Sequence, residues 1–484
     1  MQFNSFLFIL LFLPLFIALY FICNRINRKL GPLLIIVSGL VFYYFAGKDS
    51  FVLLLISCAV NYLFALLISR MTKGKKTALI IAVSVNAGLL LFYKYIHIIL
   101  GYIPNDVLSK AFVKVPEFAF PLGISFFTFQ QIMYVVNVYK GKISKADITD
   151  YLAYIMYFPK LIMGPLAEPS DLIAQINDLS KRRINIDNIT TGIKLFSFGL
   201  FKKLVLAETF KAAADWGFTN PDIATSIDLI LVTLFYTFEI YFDFSGYSDM
   251  AVGVSKMINI DLPLNFDSPY KAVSVRDFWR RWHVSLTGFF TEYIYFPLGG
   301  SRKGRIRTYI NIMTVFLISG IWHGSGLVFI LWGAIHGILQ VLERLLDKVF
   351  IKIPKVIRWI YTFVSVNFLW LLFNSGSVRQ WYAIVLKMIR FEDLTISKAL
   401  LKTFRLPETS MLLDVFNINL PKNQNDLLIL VLFILAAFVI CLIPKNNYRN
   451  QDKKTVLNMI LAGLCLVWAV LCINASAVFI YQGF

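Results

Sequence analysis

The sequence predicts an all-α polytopic membrane protein, and three observations carry that prediction. Of the 484 residues, 58% are hydrophobic and only 15% are charged, against about 25% charged in an ordinary soluble domain. Apolar runs recur from end to end, many close to the roughly 20 residues that a bilayer-crossing helix needs. Basic residues gather in short segments between those runs, as they do in cytoplasmic loops that fix orientation. A closed β-barrel would show short alternating segments instead.

The apolar runs fall at 5–23, 31–47, 51–69, 77–99, 119–138, 151–166, 191–207, 226–246, 307–322, 326–342, 357–374, 427–444 and 455–474. With short and interrupted runs included, roughly 11–13 transmembrane or re-entrant helices are expected. The first run, MQFNSFLFILLFLPLFIALYFIC, has no basic start and no small-residue cleavage site, so it is expected to remain as a span. PLGISFFTFQQ (121–131) and YFPKLIMGPL (157–166) are broken by Gly and Pro and are expected to be re-entrant or tilted. Non-helical backbone at membrane depth survives only where protein or a water-filled cavity covers it. The middle of the chain is therefore expected to surround a cavity.

Charge sets the orientation. Arg25, Arg28 and Lys29 follow the first run, and Arg70, Lys73, Lys75 and Lys76 follow the third, whereas the loop between them holds only Lys48. That places the N-terminus outside. The stretch 391–426 carries five acids and four bases and is expected outside, while 445–454 (Lys445, Arg449, Lys453, Lys454) returns to the cytoplasm. The net charge of +19 would suggest nucleic-acid binding in a soluble domain, but no such domain is present and the bases sit in loops. The five cysteines show no CxxC and no zinc-like spacing, so they read as small buried hydrophobes, with no metal site expected.

Two histidine phrases stand out: RDFWRRWH, ending at His283, and SGIWHG, with His323. Ionisable groups beside or inside apolar spans are costly and read as functional, and imidazole moves protons near neutral pH. RDFWRRWHVSL (276–286) has the pattern of an amphipathic helix. Asp277 and Arg281 are spaced to pair, and Arg276, Trp279, Arg280 and His283 share another side. The arginines fit an anionic, phosphate-bearing substrate; an interfacial helix with snorkelling arginines and a tryptophan belt fits the same spacing. The run 308–337 is too long for one span, and HGSG offers its break, which places His323 at a helix end in apolar surroundings. A packed histidine bonded to a carbonyl is the other reading. His336 is equally apolar in context and reads as structural or secondary; His97, at a span end, reads as interfacial. YFDFSGYSDM (241–250) places Asp243 and Asp249 where either orients a histidine, lines the cavity, or caps a helix and bonds nearby arginines. No Gly-rich phosphate loop, nucleophile elbow or zinc motif is present.

FEIYFDFSGYSDMAVGVSKMINIDLPLNFDSPY, RDFWRRWHVSL, YIYFPLGGSRKG, ISGIWHG and WGAIHG occur in that order. Together they resemble the membrane-bound O-acyltransferases, in particular the bacterial alginate O-acetyltransferase branch. The resemblance covers roughly 119–345, from FPLGISFFTFQQIMYVVNVYKG onward, and fades after about 390. It implies helices around a central tunnel, with N-terminal spans at 1–118, a catalytic core at 119–345, and C-terminal spans at 346–484. The family's invariant histidine falls on His323 and its less constant second position on His283. With them, Arg276, Asp277, Trp279, Arg280, Trp322 and Asp243 are expected to hold substrate.

The resemblance also implies transfer of an acetyl group from a cytoplasmic thioester, acetyl-CoA or an acyl carrier, to a hydroxyl. The acceptor would be a cell-surface or exported polysaccharide, served by an extracytoplasmic SGNH-type partner, in the cytoplasmic membrane of a bacterium. No bound cofactor and no nucleic acid are expected. Two alternatives stay open: D-alanyl transfer from a carrier protein toward teichoic acid, and a transporter using the histidines as a proton relay.

Overall fold

A computed structural model describes residues 1–101, 120–408, 411, 415, 421–473 and 477–479, with backbone only at 97–101. The side chain of His97 therefore lies outside the described residues. Helices build the chain, with no strand among the described residues.

In chain order they are α1 (Leu13–Ile26), α2 (Leu30–Ala46), α3 (Phe51–Arg70), α4 (Lys75–Gly101), α5 (Ile124–Tyr139), α6 (Ile148–Ile155), α7 (Pro169–Asn177), α8 (Ile186–Phe201) and α9 (Glu208–Thr219). There follow α10 (Ser226–Met257), α11 (Val275–Arg281), α12 (Val284–Phe290), α13 (Arg305–His323), α14 (Leu327–Leu345), α15 (Lys355–Asn374), α16 (Val378–Arg390), α17 (Lys398–Lys402), α18 (Lys422–Leu442) and α19 (Val456–Leu471). Among the described residues, six helical stretches are long and apolar enough to cross a membrane, at Leu7–Ile26, Lys48–Arg70, Lys75–Ile96, Leu327–Leu345, Lys355–Asn374 and Lys422–Leu442. Leu30–Ala46 and Val456–Leu471 are apolar but shorter. The chain is a multi-pass membrane protein.

The helix ends depart from the expected spans where local chemistry overrides hydropathy. The run 151–166 is no single span: Pro159 and Gly164 break it, leaving α6, a turn at Phe158–Leu161 and irregular backbone. The run 226–246 continues to Met257, so the whole polar phrase YFDFSGYSDM and all that follows it to Met257 are helical. Asp426, counted above with an outside loop, lies in α18, where it is buried and pairs with Arg405 at 2.6 Å.

The chain forms two compact units. The first comprises 1–200, 247–264 and 451–484; the second comprises 201–246 and 265–450. In the first, α5 is buried from Ile124 to Val138, as a helix surrounded by protein must be. Its polar side chains find partners there: Gln131 accepts from Ser57 (3.3 Å), and Gln130 donates to the Lys160 carbonyl (3.0 Å). Lys160 is fully buried and lies over the Tyr154 ring at 3.8 Å. Asn61 and Asn86 exchange amide bonds between α3 and α4 at 3.2 and 2.6 Å. The basic end of this unit is tied together by Arg182 bonding the Arg28 carbonyl and Lys194 bonding the carbonyls of Gln451 (2.7 Å) and Lys453 (2.8 Å).

In the second unit, one end of α10 meets the polar stretch: Thr225 donates to Thr395 O (2.7 Å), and Ser397 N donates to Asp228 (3.0 Å). The 265–271 loop instead meets the basic 445–450 segment, through Lys271 on Pro444 O (2.6 Å) and Arg449 on Asp267 (3.0 Å). The two sets of contacts separate a mixed-charge end from a basic end.

Candidate functional site

The second unit holds an elongated cavity of about 300 Å³ between α11–α12 and the α13–α14 hairpin. The hairpin closes tightly because glycines face each other across it. A Cβ on Gly333 would stand 2.3 Å from the Phe316 carbonyl, and one on Gly320 would stand 2.4 Å from the Phe329 carbonyl. Small residues at a four-residue interval, here Gly333 and Gly337, let membrane helices approach in this way.

The α13 wall ends in a histidine. Ile312, Val315, Phe316, Ser319 and His323 line the cavity at the spacing of one helical face, which covers about 16 Å at 1.5 Å per residue. The expected break is present: α13 stops at His323, and residues 324–326 turn the chain into α14. The His323 ring sits among Trp322 (4.4 Å between centroids), Trp332 (5.0 Å) and Phe373 (5.1 Å).

The opposite wall is not the single amphipathic helix that 276–286 suggested. It breaks at His283, whose φ of 44° is left-handed, between α11 and α12. A side-chain-bearing residue in that region costs of order 1–3 kcal/mol and persists only where the surroundings enforce it. Asn265 supplies part of that enforcement: its Oδ1 accepts from Ser285 Oγ and lies 2.9 Å from His283 Nδ1. An amide oxygen only accepts, so Nδ1 carries the hydrogen and Nε2 presents a lone pair.

Despite the break, Arg276, Trp279, Arg280 and His283 all line the same cavity. Ser274 Oγ caps α11 by accepting from Asp277 N (2.9 Å), and Glu343 on α14 accepts from Val275 N (2.6 Å) and Arg276 N (2.9 Å). Arg276 then pairs with Asp347 at 3.2 Å, just beyond α14, and Trp279 donates to His336 Nδ1 at 3.2 Å, midway along it. Arg344 completes a cationic end with Arg276 and Arg280, far along the hairpin from His323.

Of the expected site residues, the cavity thus gathers His323, His283, Arg276, Trp279 and Arg280. Three others lie outside its lining. Asp277 pairs with Arg281 at 2.9 Å, as the spacing predicted. Trp322 packs on Phe290, which lines the cavity (6.1 Å). Asp243 touches Lys203 at 2.6 Å, both almost fully buried, and Lys203 also holds Glu208. Asp243 is therefore the partner of a buried cation and neither orients a histidine nor bonds an arginine through that contact. His336, read as secondary, anchors a lining tryptophan. Ser319, Gln340 and Arg344 also line the cavity, and for the last two the polar stripe His336, Gln340, Glu343, Arg344 at helical spacing in an apolar run is the signal that marks them. Among the described residues, no three His, Cys, Asp or Glu side chains gather as metal ligands would.

Comparison with known proteins assigns the chain to a family. The family model for the membrane-bound O-acyltransferases matches residues 76–379. The chain is 34% identical to the peptidoglycan O-acetyltransferase of Helicobacter pylori, covering 100% of this chain and 97% of that protein. It is 33% identical to the probable alginate O-acetylase AlgI of Pseudomonas aeruginosa, covering 94% and 84%. A teichoic acid D-alanyltransferase of Streptococcus thermophilus is more distant, at 26% identity over 46% of this chain and 56% of its own. The chain is an acyltransferase and belongs to the membrane-bound O-acyltransferase family.

Proposed function

We propose that this chain moves an acetyl group from a cytoplasmic thioester to a hydroxyl destined for an exported or cell-surface polysaccharide. The observation that carries the reading is one cavity with arginines at one end and His323 at the other. A donor with phosphates on a long thin arm, acetyl-CoA or an acyl-carrier thioester, matches that shape and charge. Arg276, Arg280 and Arg344 hold the phosphates as charge-assisted hydrogen-bond donors. Because the 445–450 segment marks the basic end of the unit, the donor enters from the cytoplasmic side of a bacterial cell membrane. All the lining residues fall within 276–344, which supports 119–345 as the catalytic core.

His323 takes the proton of the acceptor hydroxyl while its oxygen attacks the thioester carbonyl. The C–S bond breaks, and the thiolate recovers the proton from His323. His283, with its lone pair on Nε2, accepts hydrogen bonds in its neutral form and donates to a developing oxyanion only when protonated. It therefore serves first to orient a substrate hydrogen. The acetyl-transferring names of the full-length relatives favour acetyl over D-alanyl as the group moved. An extracytoplasmic SGNH-type protein then passes the group to the polymer.

The test is His323→Ala in membrane vesicles with a radiolabelled acetyl thioester, with protein level checked by immunoblot. Loss of the general base is expected to slow transfer by about 10²–10⁴-fold. Normal protein level with near wild-type transfer overturns the assignment. Wild-type transfer from D-alanyl carrier protein but not from acetyl donors overturns the acetyl reading.

A further inference from the structure

We infer that the first unit carries a binding site for one anionic phospholipid, independent of the acyl-transfer cavity. Two cavities of opposite chemistry meet there. One is an apolar groove of about 610 Å³ between α1, α8 and α19, lined by Leu13, Ile17, Ile22, Ile193, Phe196 and Leu466 among others. The other is a polar pocket of about 580 Å³ that includes Lys181, Arg183 and Asn259. Ile184 lines both. A joined apolar groove and cationic pocket has the shape of an acyl chain with its phosphate headgroup.

Three features argue for that occupant. The groove follows one stripe of the first span, from Ile9 to Ile22. That is about 19 Å of helix at 1.5 Å per residue, enough to cover one leaflet of a hydrocarbon core about 30 Å thick. The polar pocket lies at the basic end of the span. Arg25 stands one helical turn past Ile22, and Arg182 ties the 179–183 segment to the loop after α1 by bonding the Arg28 carbonyl.

The charges are also divided unevenly. The pocket's two carboxylates are already engaged, Asp187 by Lys454 (2.9 Å) and Asp261 by Lys181 (3.1 Å) and Lys256 (2.7 Å). Arg183, in the pocket lining, and Arg25, in the last turn of α1 beyond the groove, are exposed and make no ion pair among the described residues. The pocket wall itself is fixed, because Asn259, at φ 63°, donates to the carbonyls of Lys181 (2.7 Å) and Arg183 (2.6 Å). A preorganised pocket with one uncommitted arginine in its wall, and a second at the end of the adjoining span, favours a phosphodiester that bears net negative charge over a zwitterion.

The experiment uses the full chain purified in detergent and exchanged into mixed micelles of phosphatidylglycerol or phosphatidylcholine. Retained lipid is counted by native mass spectrometry. Wild type is expected to keep one phosphatidylglycerol in preference to phosphatidylcholine. Each of Arg25→Gln and Arg183→Gln is expected to reduce that preference about fivefold, the usual effect of a basic residue at an anionic surface. Ile193→Trp, which fills the groove, is expected to lower retention of both lipids. Acetyl transfer by each variant serves as the folding check, since none of these residues lines the transfer cavity. Equal retention of the two lipids by wild type overturns the proposal, as does an unchanged preference in the folded double arginine variant or unchanged retention in folded Ile193→Trp.

Discussion

The two walls of the candidate cavity are built on different principles. The α13 wall is a regular helix pressed against α14 through glycines, and its histidine sits at the helix end within a ring of aromatics. The α11–α12 wall consists of two seven-residue helices that meet at a left-handed histidine. Hydrogen bonds from distant residues, Asn265 and Glu343, hold it in place. One wall is fixed by volume and the other by polarity. Mutations that change size should therefore damage the first, and mutations that remove a single polar atom should damage the second.

The largest effect is expected from Gly333→Leu. Its Cβ alone would stand 2.3 Å from the Phe316 backbone oxygen, which no side-chain rotation relieves. The hairpin must open, at a cost of about 1–3 kcal/mol or more, and His323 moves with it. Acetyl transfer in vesicles should fall about 10²-fold or more, into the range expected for His323→Ala. Near wild-type transfer would show that the glycine contact does not position His323.

The second wall is tested by Asn265→Leu against Asn265→Asp. Leucine removes the acceptor and leaves the His283 N–H unsatisfied, a cost of about 1–3 kcal/mol. Aspartate keeps an acceptor oxygen at the same place. The leucine variant should lose activity about 5- to 150-fold, and the aspartate variant should recover most of it in the same assay. Equal activity in the two variants would mean that packing, not the hydrogen bond, holds this wall.

This difference also explains what the sequence disclosed. The α13 wall was legible because its determinants are local: a 3.6-residue apolar period, a Gly-rich break and a histidine beside it. The α11–α12 wall was legible in composition but not in shape. The period of 276–286 fits one continuous helix, and nothing nearby announces that residue 283 turns left-handed. Its partners Asn265 and Glu343 lie 18 and 60 or more residues away. The ion pair of Asp243 was illegible for the same reason, since its cation, Lys203, sits forty residues upstream in an apolar helix. Outside 151–166 and 226–246, most span boundaries were close because the hydropathy of a helix is a local property, whereas pairing of buried charges is not.

A smaller effect is expected from Glu343→Gln, which sharpens the account of the polar wall. Glutamine retains one acceptor of the two that cap α11. Losing one charged cap at a helix start costs about 1 kcal/mol, and Arg276 loosens with it. The KM for the donor should rise about fivefold with kcat nearly unchanged, because in the proposed mechanism the arginine end holds substrate and His323 does the chemistry. A fall in kcat at constant KM would contradict that division.

The smallest effect belongs to a residue away from both walls. Burial alone would raise the carboxyl pKa of Asp261, but hydrogen bonds and charge from Lys256 and Lys181 outweigh it and hold the group below its usual range. A carboxylate lowered on folding stabilises the protein above its unfolded value of about 3.9. That contribution fades as pH falls through the lower folded value. Asp261→Asn should therefore melt slightly below wild type at pH 7, and the gap should narrow as pH falls below the unfolded carboxylate value of about 3.9. Because half-exposed pairs contribute little, acetyl transfer at pH 7 should not change. An Asp261→Asn variant that lost activity as Asn265→Leu does would show that polarity matters throughout the molecule and not at the second wall in particular.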